Sequence, residues 1–189
     1  MGTLAFLVAI WALLLTPGPT NTLLALSGAS SGLARSVRLM PAEIAAYLLV
    51  TVPLAVLGTE FLAREPLVAS AVKLAAAAWV AFLAVGLWRI RTTEAAGGAV
   101  TARRVFVTTL LNPKGLIIGL TLLPRGTAPE FPLHLGLFAA SILGVALIWA
   151  GGGAMLNRGR ATTPLLYRRA AALWLAFLAV ALAGAAIRT

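Results

Sequence analysis

The chain of 189 residues contains no cysteine and no aspartate, and it has a single histidine. The missing cysteines exclude disulfide bonds and a thiol relay. One histidine and five acidic residues supply few of the ligands that form metal sites, so we expect no metal and no cofactor. Charged residues make up 11% of the chain, against roughly 25% in soluble domains. A surface facing water cannot be built from so few charges, and the sequence predicts an integral membrane protein.

Apolar residues make up 61% of the chain and form six runs, each near the roughly 20 residues that a membrane-spanning helix needs. The predicted spans are residues 4–28, 39–58, 67–89, 105–123, 132–156 and 170–187. The gaps between them are too short for another domain. We therefore predict an all-α membrane protein with one domain, residues 1–189, and six transmembrane helices. We interpret the first run as a retained span because no basic residue precedes it, unlike in a signal peptide.

The basic residues, which give a formal net charge of +10, lie mostly in the first, third and fifth gaps. The ten in those gaps are Arg35, Arg38, Arg89, Arg91, Arg103, Arg104, Arg158, Arg160, Arg168 and Arg169. Lysine and arginine are enriched in short cytoplasmic loops. We therefore predict a multi-pass protein of the plasma (inner) membrane with both termini extracytoplasmic. A nucleic-acid partner is excluded, because it would need these charges gathered on one soluble face.

The first predicted span is interrupted by TPGPTN, residues 16–21. A proline inside a helix lacks the backbone N–H and costs about 3 kcal/mol or more. The two prolines should leave the carbonyls of Leu13 and Leu15 without helical donors. Such carbonyls suit an ammonium, and a half-helix beginning beyond Pro19 suits an anion, so a zwitterion fits both; the alternative is a kink that serves only packing. The candidate binding residues here are Thr16, Pro17, Gly18, Pro19, Thr20 and Asn21.

The fourth predicted span contains a second break, TTLLNPKG, residues 108–115. Asn112 is a favourable N-cap and Pro113 is favoured at the first helical position, so a half-helix should begin there. Lys114 would then oppose the helix dipole, which suggests that it binds a carboxylate or pairs with Glu43. The alternative is that Lys114 snorkels to the cytoplasmic surface. The candidate binding residues of this break are Thr109, Asn112, Pro113 and Lys114.

The two breaks interrupt the first span of each half of the chain, about 1–94 and about 95–189. Because each half has three spans, the second half would enter the membrane from the opposite face. Broken helices at corresponding positions of two inverted halves indicate a transporter site near the membrane midplane. The sequence therefore predicts two inverted three-helix repeats, with helices 1 and 4 broken at Pro-Gly-Pro and Asn-Pro.

Glu43 lies a few residues inside the second predicted span, and ionisable residues within spans are rare and by default functional. A partly desolvated carboxyl can take up and release a proton, which makes Glu43 the candidate for proton coupling. The alternative is a fixed structural partner for Lys114, Arg35 or Arg38. Lys73 enters from the outer end of the third span, so a direct pair with Glu43 is disfavoured.

Three other features are interpreted as structural. His134 is expected at the membrane interface, and the five tryptophans, Trp79 among them, at interfaces or in packing. The sequence GGGA, residues 151–154, is interpreted as a surface for close helix approach, within the chain or between subunits.

The chain resembles the LysE/RhtB family of bacterial amino-acid exporters, the LysE-type translocators, over nearly its whole length. The resemblance lies in TPGPTNTLLALS, GLARSV, VKLAAAAWVAFLAVGLWRIR and LLNPKGLIIGLTLLP. It implies six spans, self-association into a homo-oligomer, and proton-driven export of an amino acid or similar metabolite. By motif match it implies roles for Pro17, Gly18, Pro19, Asn21, Lys73, Asn112, Pro113 and Lys114. Ala76 and Trp79 stand where the family has glycine and tyrosine, so a particular substrate does not carry over.

We therefore expect a secondary active exporter of amino acids or similar small zwitterions that is coupled to protons. Its expected partners are the solute, the lipid bilayer and further copies of the chain. One alternative is an exporter of a cation or another small inorganic solute, and another is a membrane scaffold that transports nothing. An enzyme acting on lipid head groups would need an acidic or histidine-rich cluster at one interface. The scattered glutamates form no such cluster, so we predict no catalytic residue.

Overall fold

The computed structural model describes the backbone of residues 2–64, 66–89, 100–156 and 165–187, and in these ranges it contains helices and no strand. The helices are α1 (Thr3–Leu15), α2 (Pro19–Ser31), α3 (Leu33–Val37), α4 (Met40–Arg64), α5 (Pro66–Arg89), α6 (Ala102–Leu110), α7 (Pro113–Ile117) continued by a π-helical segment (Ile118–Leu122), α8 (Phe131–Leu156) and α9 (Leu165–Ile187). The undescribed side chains within these helices are 58–64, 66–70, 72, 73, 76, 87, 89, 165–168, 182 and 185–187. The all-α prediction is confirmed for the described residues.

Two described helical stretches, Leu33–Leu57 and α8, are long and apolar enough to cross a membrane. The number rises to four if each bent pair, α1 with α2 and α6 with α7 and the π-helical segment, counts as one span. The described parts of α5 and α9 contain shorter apolar stretches, Ala77–Gly86 and Arg169–Ala181. Helices therefore occupy all six predicted segments, and a count of six spans stays a prediction.

The outer surface of the helices is rich in large apolar side chains. Leu4, Leu57, Phe82 and Val180 are each more than 60% exposed. Exposed apolar surface on this scale is unfavourable in water and is what a helix presents to lipid. The surface thus agrees with the composition in indicating a membrane protein.

The two halves of the first broken segment, α1 and α2, pack into different clusters of buried apolar side chains. Phe6 of α1 packs with Tyr47 of α4 and Phe138 of α8, and the Tyr47 and Phe138 rings meet edge to face at 5.8 Å. Leu23 of α2 instead packs with Leu83 of α5 and Leu175 of α9. The break after α1 therefore carries the chain from one cluster to the other.

Helices α2 and α8 approach until their backbones touch. A Cβ atom on Gly28 would overlap the carbonyl oxygen of Ala150, and one on Gly153 would overlap the carbonyl oxygen of Ala25. Residues 151–152, the first two glycines of GGGA, have open space around them. The expected close approach therefore occurs within the chain and uses Gly153.

Each broken segment packs on the long helix of the other half of the chain. Helix α8 packs against α1 and α2, whereas α4 packs against α6, α7 and the π-helical segment. Helices α5 and α9 pack extensively against each other. The two halves are thus interlocked rather than side by side.

Two of the described basic residues from the odd-numbered gaps lie near the same end of α5. Arg104 lies beside Gly86, and the Arg169 guanidinium stacks 5.4 Å above the Trp88 ring, so both lie near the C-terminal end of α5. The exposed Arg35 belongs to α3, which packs against α2 and α8. Basic residues at one end are what the positive-inside rule describes, and the side of the membrane that this end faces stays a prediction.

His134 lies near the start of α8 and is only 3% exposed. Its ring meets the Phe6 ring edge to face at 4.6 Å, and its Nδ1 atom lies 2.9 Å from the Glu130 carbonyl oxygen. An aromatic neighbour on α1 and a backbone hydrogen bond thus hold the His134 ring inside the protein, and its position at the membrane interface stays a prediction.

Candidate functional site

The first break turns the chain by 65° between α1 and α2. The chain is extended at Gly18, and Pro19 takes the first helical position of α2, where a missing N–H costs nothing. Thr16 and Pro17 are exposed, whereas Gly18 and the residues that follow are buried. The predicted interruption and the restart of the helix at Pro19 are confirmed.

Two side chains converge on the backbone carbonyls that the first break releases. The Asn21 Nδ2 atom donates to the Leu14 oxygen at 2.7 Å and to the Thr16 oxygen at 3.0 Å. The Lys114 Nζ atom donates to the same oxygens at 3.1 Å and 2.5 Å. The prediction named the Leu13 and Leu15 carbonyls as the ones without helical donors, and the Leu13 oxygen accepts from the Thr16 hydroxyl at 2.6 Å.

The second break turns the chain by 49° between α6 and α7. Asn112 caps α7, its Oδ1 atom accepting from the Lys114 backbone N–H at 3.1 Å, and Pro113 takes the first helical position. Both local predictions are confirmed. The sequence analysis did not foresee the π-helical segment after α7, a distortion that is common at functional sites.

The two breaks meet through buried polar side chains. The Thr20 and Thr109 hydroxyls lie 3.1 Å apart, and the Asn112 Nδ2 atom donates to Thr20 at 3.3 Å and to the Tyr47 hydroxyl at 3.4 Å. Thr20, Thr109 and Asn112 are each at most 2% exposed. Buried polar groups are costly unless they are hydrogen-bonded, and here each finds its partner across the two halves of the chain.

Lys114 stays inside the protein, at 7% exposed, so the snorkelling alternative is wrong. Gly18 makes room for it: a Cβ atom at position 18 would stand 3.3 Å from Lys114 Cε and 3.4 Å from Nζ. Gly18 thus allows the charged end of Lys114 to approach the backbone closely.

Glu43 is 3% exposed, and its Oε2 atom has no hydrogen-bond partner in the described part of the chain. Its charge interacts with that of Lys114, but no ion pair joins it to any described residue. Arg35 and Arg38 are exposed on α3. The described structure therefore gives Glu43 no fixed structural partner.

Three polar residues on α4 follow one another at intervals of four, which places them on one face of the helix. These residues, Glu43, Tyr47 and Thr51, form what we call the α4 polar stripe. All three are buried, and the Thr51 hydroxyl, like Glu43 Oε2, has no partner among the described residues. Tyr47 and Thr51 were not predicted as site residues, although the four-residue spacing from Glu43 is visible in the sequence.

Helix α5 forms a hydrogen bond to Thr108, the first residue of the second break. Trp79 of α5, expected only to pack or anchor, donates from Nε1 to the Thr108 hydroxyl at 2.9 Å. Lys73 is also on α5, but its side chain lies outside the described residues. Of the predicted site residues with described side chains, hydrogen bonds bring together Thr20, Asn21, Thr109, Asn112 and Lys114. The side chains of Thr16 and Pro17 are exposed.

A cavity of about 370 Å³ opens near the start of α8. It is lined by Thr121, Leu122, Leu123, Pro124, Arg125, Thr127, Ala128, Glu130 and His134. The segment from Pro113 to Leu122 runs from the second break to this cavity. At about 1.5 Å per residue, the two lie on the order of 12 Å apart.

No family model, no curated protein and no solved structure matches this chain. The resemblance to the LysE/RhtB exporters therefore depends on the motifs at the two breaks and remains a proposal.

Proposed function

We propose that this protein is a secondary active exporter of amino acids or similar small zwitterions. The observation that carries the proposal is that two helix breaks, one from each half of the chain, meet in a single buried polar cluster. Irregular backbone at membrane depth is tolerated where it is buried in protein or lines a cavity. In transporters built from repeats, such breaks hold the substrate.

The first break has hydrogen-bond acceptors for the ammonium of a zwitterion and hydrogen-bond donors for its carboxylate. The carbonyls of Leu14 and Thr16 accept hydrogen bonds from a cationic donor. At the start of α2, Gly18 provides no side-chain cap, and the first N–H groups of a helix have no partner within it. The N–H groups of Thr20 and Asn21 therefore suit a carboxylate, which the helix dipole also favours.

The proposed architecture has six spans in two inverted repeats, residues 1–94 and 95–189. The exchange of partners between halves supports it, because α8 packs on the first broken pair as α4 packs on the second. The basic end beside α5 supports a cytoplasmic position for the odd-numbered gaps. On this orientation both termini face outward from the plasma membrane, and the cavity beside His134 opens to the outside.

Coupling to protons is assigned to Glu43. A buried carboxyl near one cation, with an unpartnered oxygen, can be neutral or charged according to what fills the neighbouring site. Protonation from the outside would then accompany release of the solute. No other carboxyl among the described side chains lies beside the breaks.

The resemblance to the LysE/RhtB family supports the same function through the Pro-Gly-Pro and Asn-Pro-Lys motifs. The proposed solute class stays broad because Ala76 and Trp79 replace the glycine and tyrosine of the family pattern. Trp79 reaches Thr108 beside the second break, so this replacement lies where it would alter the space for a solute.

The proposal is tested in proteoliposomes that are loaded with a panel of labelled amino acids. An acidic outer medium is imposed, and efflux is compared with that of protein-free liposomes. We expect gradient-dependent efflux of at least one amino acid, and its collapse when a protonophore is added.

Two variants provide the matched comparison. Asn112→Ala removes a side chain that joins both breaks, whereas Gly152→Ala changes a position with open space around it. We expect Gly152→Ala to keep the efflux and Asn112→Ala to lose most of it. Folded wild-type protein that exports nothing in the panel would contradict the proposal and favour a scaffold, and gradient-driven flux of an inorganic cation would favour the alternative exporter.

A further inference from the structure

The Lys114 ammonium occupies a position at the first break that the backbone does not require. A carbonyl oxygen has two lone pairs and accepts two hydrogen bonds. Asn21 donates to both the Leu14 and Thr16 oxygens, and Lys114 donates a second time to each. When Lys114 is elsewhere, Asn21 still satisfies both carbonyls.

Helix stability does not account for this position either. Lys114 is in the first turn of α7, where a cation opposes the helix dipole. It is also nearly buried, so its charge has lost most of its water. The carbonyl pair is the group that compensates this loss, and it would compensate any other ammonium equally well.

We propose that the carbonyl pair of Leu14 and Thr16 is the ammonium-binding site of the exporter, and that Lys114 fills it in the empty protein as a tethered competitor. An incoming solute must displace Lys114. The inference rests on the proposed function and extends it, because it assigns the cationic end of the solute to two named oxygens. It also restricts the solutes to those whose ammonium carries at least two N–H donors.

The displaced Lys114 has a partner within the same site. Glu43 Oε2 is buried without a hydrogen bond in the described part of the chain, and its charge already interacts with that of Lys114. The Lys114 side chain has a flexible four-carbon stem, and Gly18 has no side chain that would hinder its movement. Solute binding would therefore bring together two charged groups that are apart in the empty protein.

The first experiment asks whether the vacated site accepts a small ammonium. Thermal unfolding of full-length Lys114→Ala is followed in detergent with ethylammonium chloride and, at equal ionic strength, tetramethylammonium chloride, which has no N–H donor. We expect ethylammonium at millimolar concentration to raise the unfolding temperature of Lys114→Ala and tetramethylammonium to leave it unchanged. Wild-type protein and Lys114→Arg, which keep the tethered cation, should need about tenfold more ethylammonium for the same rise.

The second experiment measures competition with the amino acid that the wild-type protein exports best. If Lys114 fills the site about nine-tenths of the time, its removal should tighten binding about tenfold. Efflux driven by the pH gradient should slow at the same time, because the coupling between Lys114 and Glu43 is lost. A lysine that only stabilised the fold would give weaker binding together with slower efflux.

If Lys114→Ala does not fold, Lys114→Met serves instead, since it keeps an unbranched side chain of similar length and removes the ammonium. The same selective response to ethylammonium is expected. Equal responses to the two salts, or weaker amino-acid binding by a folded Lys114→Ala, would overturn the inference. Absence of efflux from the wild type with a selective ethylammonium response would instead contradict the exporter and leave the ammonium site standing.

Discussion

Asn112 shows how much of the site depends on a single side chain. Its Oδ1 atom caps α7, while its Nδ2 atom donates to Thr20 of the other half and to Tyr47 of the α4 polar stripe. The cap was predictable because it depends only on neighbours in sequence. The two bonds from Nδ2 were not, since their partners lie 92 and 65 residues away.

Replacing Asn112 separates these two roles. Asn112→Ala should lose about 0.5–2 kcal/mol of stability with the cap, together with most of the efflux. Asn112→Ser keeps a capping oxygen and should regain the share of the stability that the cap supplies, but its short side chain restores neither the bond to Thr20 nor the transport. Thermal unfolding and proteoliposome efflux measure the two effects, and full efflux from Asn112→Ala would refute the assignment.

Replacing Glu43 should remove the effect of the pH gradient on efflux. In Glu43→Gln the side chain is neutral at every pH, so an acidic outer medium should no longer accelerate efflux. Exchange of labelled for unlabelled amino acid at equal pH should persist. Glu130→Gln is the matched control, because Glu130 is an exposed carboxyl, and it should keep the wild-type response. Acceleration of Glu43→Gln efflux by the gradient would exclude Glu43 as the proton carrier.

Lys114 illustrates what sequence patterns miss at this scale. Its burial in a helix break was predictable from the apolar surroundings, but its partners were not, because the Leu14 and Thr16 oxygens lie 100 and 98 residues earlier. Only tertiary structure brings a lysine to backbone atoms.

Among the elements, the pairing of α2 with α8 sets the closest packing in the described chain. Gly28→Ala and Gly153→Ala would each drive a methyl group into a carbonyl of the facing helix. Overpacking of this kind costs typically 1–3 kcal/mol, so we expect a loss of about that size or larger. Gly152→Ala faces open space and should be neutral or slightly stabilising, because alanine is favoured in helices by up to about 1 kcal/mol.

Chemical unfolding in detergent would measure these differences. Equal stability of Gly153→Ala and Gly152→Ala would contradict the close contact. The presence of small residues in GGGA was enough to predict a packing surface, but three adjacent glycines lie on different faces of a helix. Which of them meets α2 is fixed only by the rotation of α8.

The helix breaks were the most predictable elements, because prolines remove donors wherever they occur. The π-helical segment was not predictable, since IGLTL, residues 118–122, carries no proline and no unusual apolar spacing. It packs against α4, where a Cβ atom on Gly119 would stand 2.8 Å from Leu54 Cβ. The π-helical distortion thus depends on how this segment packs against α4.

For the whole molecule, the proposed orientation makes a direct prediction. The chain has no cysteine, so a single introduced cysteine is labelled without background. Thr127→Cys, beside the cavity at the start of α8, should react in intact cells with a maleimide that cannot cross membranes. Ala34→Cys, on the exposed face of α3 beside Arg35, should react only after permeabilisation. The reverse pattern would invert the proposed topology.

The composition was sufficient to predict a helical membrane protein, because so few charges cannot cover a soluble surface. It was not sufficient to predict how the halves interlock, since apolar helix faces rich in alanine and leucine are nearly interchangeable. The exchange of partners by α4 and α8 depends instead on details such as Gly28 and Gly153.

The two backbone contacts between α2 and α8 also decide which part of the first broken segment is free to move. Ala25 and Gly28 meet Ala150 and Gly153 at two points, which fixes both position and angle. Helix α1 meets α8 through side chains such as Phe6 and Phe138, and contacts of that kind can slide. A change of angle at the bend would therefore move α1 against an anchored α2, and in the proposed exporter this movement would open and close the site.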